Sequence, residues 1–486
     1  MRSIIFSPIT YISTCMVLLT GCSKLLEVEP PINTITTEEL FVTNKQAEWA
    51  LAGVYSKMIN GGELTTTALR QIGNNYFAAG LSTILGSLSA DDLFMLGSTN
   101  SVTDLFASQN KLTLSNSSKV DAIWKSAYRA IYDANAVMEG IAASTSSSLS
   151  DSVRKQLTAE ALVLRAFSFF YLVNFYGDIP LTLSSEFQQT ATLPRSPVAK
   201  VYDQIKSDLL KAKAVLTADF AIGNNERVRV NKWFAEALLA RVYLYTGAYQ
   251  SAITSASEVI NHTGLFAAET DISKVFLANS KEAIFQLKPT SDEPNILNQT
   301  PESRQLYNVP PATGTYFPSY GITPELLGAF EANDKRKSLW MVPVPGGFVP
   351  AKYKNGAPAQ YYTVMRMAEL HLIRAEATML LTPAAKTTAI DDLNILRRRA
   401  GVPELDDQLS AGQVIEAIAQ ERRTELFTEW GHRWFDLKRT GKAEEVLSAI
   451  SHKQPWLGNY QLLYPIPVGE IGNNPGIIQN PEYNNR

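Results

Sequence analysis

From Val230 to Ile260 the apolar and small residues fall into two helical stripes separated by Gly247. Leu239, Ala240 and Tyr243 share a face of the first stripe, and Ala252, Ala256 and Val259 share a face of the second. The small side chains of Ala240 and Ala252 let two helices cross closely. The larger Leu239 and Tyr243 fill the neighbouring groove. This pattern commits the segment to a tight antiparallel helix pair.

The positions Leu239, Ala240, Tyr243, Gly247, Tyr249, Ala252, Ala256 and Val259 are spaced as in a tetratricopeptide unit. Helical patterns dominate elsewhere. Asn44 can cap a helix through Trp49, Leu51, Val54, Tyr55 and Met58, which Asn60-Gly61-Gly62 would stop. Val120 to Ile141 carries a helical period. Asp151 to Tyr176 is apolar and aromatic but is interrupted by Arg165 and Asn174, so it reads as a buried central helix with Gly177 as its C-cap. Further helices are expected over Val198 to Leu216, Met367 to Leu381, Thr388 to Ala400, Ala411 to Trp430 and His432 to Thr440. Residues 63–117 are rich in Gly, Ser, Thr and Asn without a sustained period, and read as long loops with short helical pieces. Residues 265–364 are proline-rich, with strand-like runs at Ala283 to Leu287, Phe348 to Tyr353 and Tyr361 to Met365. The expectation is a mainly α fold: tetratricopeptide-like helix pairs with a loop-rich, strand-poor insertion.

The chain of 486 residues has only two cysteines, Cys15 and Cys22, and four scattered histidines. The body therefore has no thiol for a disulfide, a metal site or a nucleophile. Its net charge of −3 leaves no electrostatic footprint for nucleic acid. Residues 1–21 have the order of an export signal: Arg2, an apolar stretch from Ile4 to Leu19, then small residues. Leu19-Thr20-Gly21-Cys22 resembles a bacterial lipobox, which implies cleavage before Cys22 and lipidation of that residue. Residues 22–486 then form one unit. It comprises a stalk at 22–43, an N-terminal helical part at 44–264, a loop-rich region at 265–364, and C-terminal helices with an irregular tail at 365–486.

Over nearly the whole chain, in order, the residues resemble the SusD/RagB family of Bacteroidetes outer-membrane lipoproteins. The blocks run from Cys22-Ser23-Lys24-Leu25-Leu26-Glu27 through Trp124, Tyr128, Ala134 and Asn135. They continue with Ala159-Glu160-Ala161, Leu164-Arg165-Ala166 and Tyr176-Gly177-Asp178-Ile179-Pro180. Arg366-Met367-Ala368-Glu369, Glu421-Arg422-Arg423, Arg433-Trp434-Phe435-Asp436 and Gln479-Asn480-Pro481 complete them. The resemblance implies an α–α superhelix of the SusD type. It implies a lipid-anchored, surface-facing outer-membrane protein that captures an oligosaccharide or other nutrient and caps a SusC-like TonB-dependent transporter. It also implies no enzymatic activity and no cofactor.

Chemistry-bearing clusters are few. Glu421, Glu425 and Glu429 lie four apart, as on one helix face, and paired carboxylates are what glycoside hydrolysis needs. Arg422, Arg423 and Arg433 are interleaved with them, which favours a structural ion network holding the acids ionised. Glu160 with Arg165, and Glu369 with Arg366, read the same way. Asp91-Asp92 reads as a local turn or cap. No phosphate-loop, dinucleotide, calcium-loop or nucleophile-elbow pattern is present. Sugar capture needs flat aromatic faces beside polar groups. Two loop stretches offer them, which makes Tyr76, Phe77, Arg304, Tyr307, Tyr316, Phe317 and Tyr320 the candidate ligand contacts. Trp340 and Trp434 read as packing residues. Two other functions fit parts of the pattern: a lipid-anchored glycoside hydrolase, and a tetratricopeptide scaffold that binds only protein.

Overall fold

The computed structural model describes residues 37–61, 76–96, 101–289, 299–307, 318–354 and 358–483. Cys22 and the expected signal and stalk up to residue 36 lie outside the described residues, as do Tyr316 and Phe317.

Helix α1 is Asn44–Asn60. Its cap is Thr43, whose side chain accepts from the Gln46 N–H, and Gly61 at φ 90 ends it. Asn44 instead accepts from the Ser150 N–H. Leu51, Val54, Tyr55 and Met58 are buried as the period predicts, whereas Trp49 is 59% exposed. Two residues before Leu51, Trp49 falls on the opposite side of the helix.

The stretch read as loops contains α2, Ser82–Ser89, every residue of which is buried. Strand β1 follows at Leu93–Met95. The main stack then runs in chain order: α3 (Ser118–Ala143), α4 (Asp151–Tyr176), α5 (Val198–Lys213), α6 (Lys232–Tyr245) and α7 (Tyr249–Ile260), each packed on the next. Helix α4 is apolar and long enough to cross a bilayer, but 89% of its most apolar window is buried inside the protein. Phe167, Phe169, Phe170 and Tyr171 lie in the core. Asn231 caps α6 by accepting from the Trp233 and Phe234 N–H groups, and Gly247 at φ 73 turns the chain into α7. The pair α6–α7 is the helical hairpin that the alanine spacing specifies.

The loop-rich region is built from short antiparallel pairs. These are β2 (Ala283–Leu287), β3 (Tyr320–Ile322), β4 (Met341–Val344), β5 (Gly347–Pro350) and β6 (Tyr362–Arg366). Strand β1 pairs with β3 in the register Leu93↔Ile322, Phe94↔Gly321, Met95↔Tyr320. Strand β2 pairs with β6, and β4 with β5 as a hairpin. Helices α8 (Met367–Leu381), α9 (Lys386–Ala400), α10 (Ala411–Glu425) and α11 (His432–Arg439) close the fold. Helix α8 packs on α7 and carries the stack on to α9 and α10.

Buried ion pairs stitch successive layers. Arg165 on α4 donates two hydrogen bonds to Asp208 on α5, at 2.8 and 2.7 Å. Arg241 on α6 donates two to Glu369 on α8, each at 2.6 Å, and Arg374 on α8 donates to Asp392 on α9. The pairings expected from sequence proximity are therefore exchanged. Arg165 is five residues from Glu160, about 140° round the helix, so they face different neighbours. Glu160 binds Arg229 and Tyr55 instead.

Candidate functional site

The densest carboxylate cluster is structural, but with partners the sequence does not suggest. Helix α10 stops at Glu425 rather than Trp430, and Thr428, Trp430 and Gly431 take positive φ. Glu429 thus leaves the helix face of Glu421 and Glu425. All three are still brought around buried cations from distant segments. Arg336 donates to Asp334, Glu421 and Glu425, and Arg366 donates to Glu282, Glu425 and Glu429. Arg399 reaches Glu282 and Glu425, and Lys352 reaches Glu429. Burial alone would push the Glu425 carboxyl up, but Arg399, Arg366 and Arg336 together hold it well below the usual carboxylate range. Burial wins at Glu421, which is pushed up despite Arg336. Neither carboxyl is more than 1% exposed, so no sugar oxygen can reach them.

The neighbouring arginines turn elsewhere. Arg422 binds Asp436, while Arg423 and Arg433 both bind Asp91. Asp91 does sit in a turn, as expected, but its side chain acts at long range. It fixes α10 and α11 to the root of β1. Asp92 beside it accepts from the Thr428 N–H and is pushed up to about 7 by burial and by the charge of Asp91.

Of the seven candidate ligand contacts, the structure removes two. Phe77 is 1% exposed and packs 5.9 Å from the rings of both Phe167 and Tyr171. Tyr320 is 5% exposed and donates to Asp104 at 2.6 Å. Both are core residues because the segments that hold them pack inward, with Phe77 opening the buried run into α2 and Tyr320 in β3. A ring with no accessible face cannot stack on a sugar.

Tyr76, Arg304 and Tyr307 are half-buried and lie on segments that meet. Gly80, at φ 90, brings its backbone against Glu302 and Gln305, where an added Cβ would lie 3.4 Å from the Glu302 Cα. Gln305 Nε2 donates to the Ala79 carbonyl at 3.4 Å. The Leu96 N–H donates to the Ser319 carbonyl at 3.0 Å, extending the β1–β3 pair towards the same region. The hairpin tip at Gly346 and Gly347 lies over Leu96, and β5 touches the Ser303–Tyr307 turn. The segments that bear Tyr76, Leu96, Arg304, Tyr307, Ser319 and Gly346 are thus neighbours. Burial lowers the Arg304 guanidinium below its ordinary value, and its Nε has no hydrogen-bond partner among the described residues. Sequence reasoning missed Leu96 and the hairpin tip. The Pro345-Gly346-Gly347 run is the turn signal that could have placed the latter.

This is the architecture of a helical stack with an irregular, loop-rich face mounted on it. A profile described as starch-binding associating with outer membrane matches residues 63–244, and one described as SusD family matches residues 333–483. The SusD-like protein P2 of Formosa agariphila is 26% identical, over 97% of this chain and 98% of its own length. A SusD superfamily protein from Bacteroides thetaiotaomicron superposes with a TM-score of 0.74 at 23% identity, covering 91% of this chain and 100% of that one. A laminarin binding SusD-like protein superposes with a TM-score of 0.72, also at 23% identity and with the same coverage of the two chains. The chain belongs to the SusD family, and its helical stack is that family's fold.

Proposed function

We propose that this protein captures glycans at the outer membrane and delivers them to a SusC-like TonB-dependent transporter, held to the membrane by lipid on Cys22. The observation that carries the binding reading is the meeting of two segments far apart in sequence, the one that opens at Tyr76 and the Ser303–Tyr307 turn that bears Arg304 and Tyr307, through Gly80 against Glu302 and Gln305 against Ala79. Phenol rings offer flat apolar faces to pyranose C–H groups, and a guanidinium offers planar donors to hydroxyls. The starch-binding description of the matching profile and the laminarin ligand of a structural relative support the same class. The face is rimmed by short turns and hairpins, which suits a lid that receives a chain-like ligand.

The hydrolase alternative is weakened by the geometry of the acids. Glu425 is ringed by arginines that keep it ionised, the opposite of a general acid, and it is sealed from solvent. Titration calorimetry with laminarin and with soluble starch tests the reading. Saturable heat without release of reducing ends is expected for at least one, and Arg304→Ala with Tyr307→Ala should weaken it. Extraction of the native membrane should bring down a large β-barrel partner; a protein that runs alone there contradicts the transporter role.

A further inference from the structure

A cleft of about 600 Å³, which shares no lining residue with the Arg304 region, opens where α4, α5 and α11 meet the C-terminal tail. Its volume is that of a small-molecule site. Three aromatic residues line it among polar ones, Tyr202 and Phe435 buried and Tyr245 half-buried. Its charges are unbalanced. Lys438 reaches into the floor and donates to the Asn174 carbonyl, but makes no salt bridge among the described residues. Arg195 spends its donors on the carbonyls of Asp178 and Ile478 and on the Asn480 side chain, all neutral. Asp178 is the acid on this wall, and its carboxylate accepts from the Val198 N–H. Arg439 also lines the cleft but is neutralised by Glu376 and Asp436.

Two cations thus face one carboxylate in a partly desolvated recess, where unpaired charge is unfavourable. Burial pushes the Lys438 ammonium down to about 7, with no acidic neighbour to restore it. The Tyr245 hydroxyl is buried and has no hydrogen-bond partner among the described residues. An anion at Lys438 would restore the balance of charge on this wall.

We propose that this cleft binds a carboxylate-bearing sugar of one or two rings, its acid group on Lys438 and its ring against Tyr245. A charge-assisted hydrogen bond to the ammonium would supply the selectivity for an acid over a neutral sugar. The half-buried Tyr245 ring would hold the pyranose. The site is separate from the face around Arg304 and does not depend on it.

Titration calorimetry with digalacturonic acid, and with cellobiose as the neutral disaccharide, tests the assignment. Digalacturonic acid should bind and cellobiose should not do so at this cleft. Lys438→Met should weaken the acid at least ten-fold. Val198→Trp fills the mouth from a residue that is 37% exposed, so it spares the core and should abolish binding even if the lysine variant fails to fold. Arg304→Ala with Tyr307→Ala should leave digalacturonate binding unchanged. No heat with digalacturonate, equal affinity for cellobiose, full affinity in Val198→Trp, or loss of binding in the Arg304 and Tyr307 double variant would each overturn the assignment.

Discussion

Arg366 Nη1 donates to Glu425 Oε1 at 2.6 Å, while its Nη2 donates to the Glu425 carbonyl at 2.9 Å. One guanidinium therefore holds both the side chain and the backbone of the last residue of α10. It does so from the end of β6, where the chain turns into α8. A cation at a helix C-terminus also meets the negative end of the dipole. Arg366 thereby joins the loop-rich region to the C-terminal helices.

Replacing Glu425 by Gln keeps the shape but leaves Arg336, Arg366 and Arg399 around a neutral amide. The loss expected is about 3–5 kcal/mol, the scale for breaking a buried pair from one side. Urea unfolding of the two proteins at neutral pH measures it. The pH dependence has a definite sign. Glu425 is held below its unfolded value of 4.5, so its contribution is fully present above that pH and is lost as the pH falls through the folded value. The gap between wild type and Glu425→Gln should shrink on acidification.

Asp92 runs the other way. Its folded value of about 7 lies above the unfolded 3.8, so the folded state holds a proton that the unfolded state gives up. Its ionisation penalises folding progressively as the pH rises from about 4 to about 7. Asp92→Asn removes the titration while leaving an oxygen for the Thr428 N–H. Relative to the variant, wild type should lose a few kcal/mol across that window and then level off. A flat difference between pH 4 and 7 would contradict the assignment.

A Cβ added to Gly86 would lie 2.6 Å from the Gly431 Cα, which is backbone and cannot swing aside. Helices α2 and α11 cross at this point. Gly86→Ala should force them apart and destabilise by about 1–3 kcal/mol, the range for overpacking. A melting temperature within a degree of wild type would show that the crossing yields.

The same contact explains what the sequence hid. Helix α2 is buried on every side, so it has no polar face and no 3.6-residue period, and its serines and Gly86 read as loop. Helices with one wet face, such as α3 and α7, were legible, as was α4 through its length and its apolar, aromatic C-terminal half. The α6–α7 hairpin was legible because two alanines must face each other there. The ion pairs were legible as a class and not as partners. Arg165 and Asp208 lie 43 residues apart, and only the packing of α4 on α5 brings them together. At the candidate face, residue type singled out Tyr76, Arg304 and Tyr307 but could not tell them from Phe77 and Tyr320, whose orientation depends on the strands and helices beneath.

Lys453, 0% exposed, donates to the carbonyls of Leu88, Ser89 and Ser108 and to the Asn110 side chain. Two helices, α2 and Val102–Ser108, end on this one ammonium. Lys453→Met retains the apolar stem but leaves these acceptors without their donor. A loss of about 3 kcal/mol or more is expected, since each buried polar group left unsatisfied costs about 1–3 kcal/mol. Thermal and urea unfolding should agree on it, and a variant as stable as wild type would mean that water replaces the ammonium.

Tyr307 and Tyr320 provide the sharpest contrast within the candidate face. Tyr307 is half-buried on the Ser303–Tyr307 turn, whereas the Tyr320 hydroxyl binds Asp104 inside the core and accepts from Lys119 at 3.3 Å. Tyr307→Ala should weaken binding of the preferred glycan about ten-fold, equivalent to about 1.4 kcal/mol, with the melting temperature unchanged. Tyr320→Phe should leave affinity intact and destabilise by about 1 kcal/mol through the lost hydrogen bond. Tyr320→Ala should destabilise by about 3–5 kcal/mol through the cavity it opens. Calorimetry paired with thermal unfolding on the three variants separates the roles. If Tyr320→Phe loses affinity at constant stability, its hydroxyl faces the ligand and the assignment of β3 to the core is wrong.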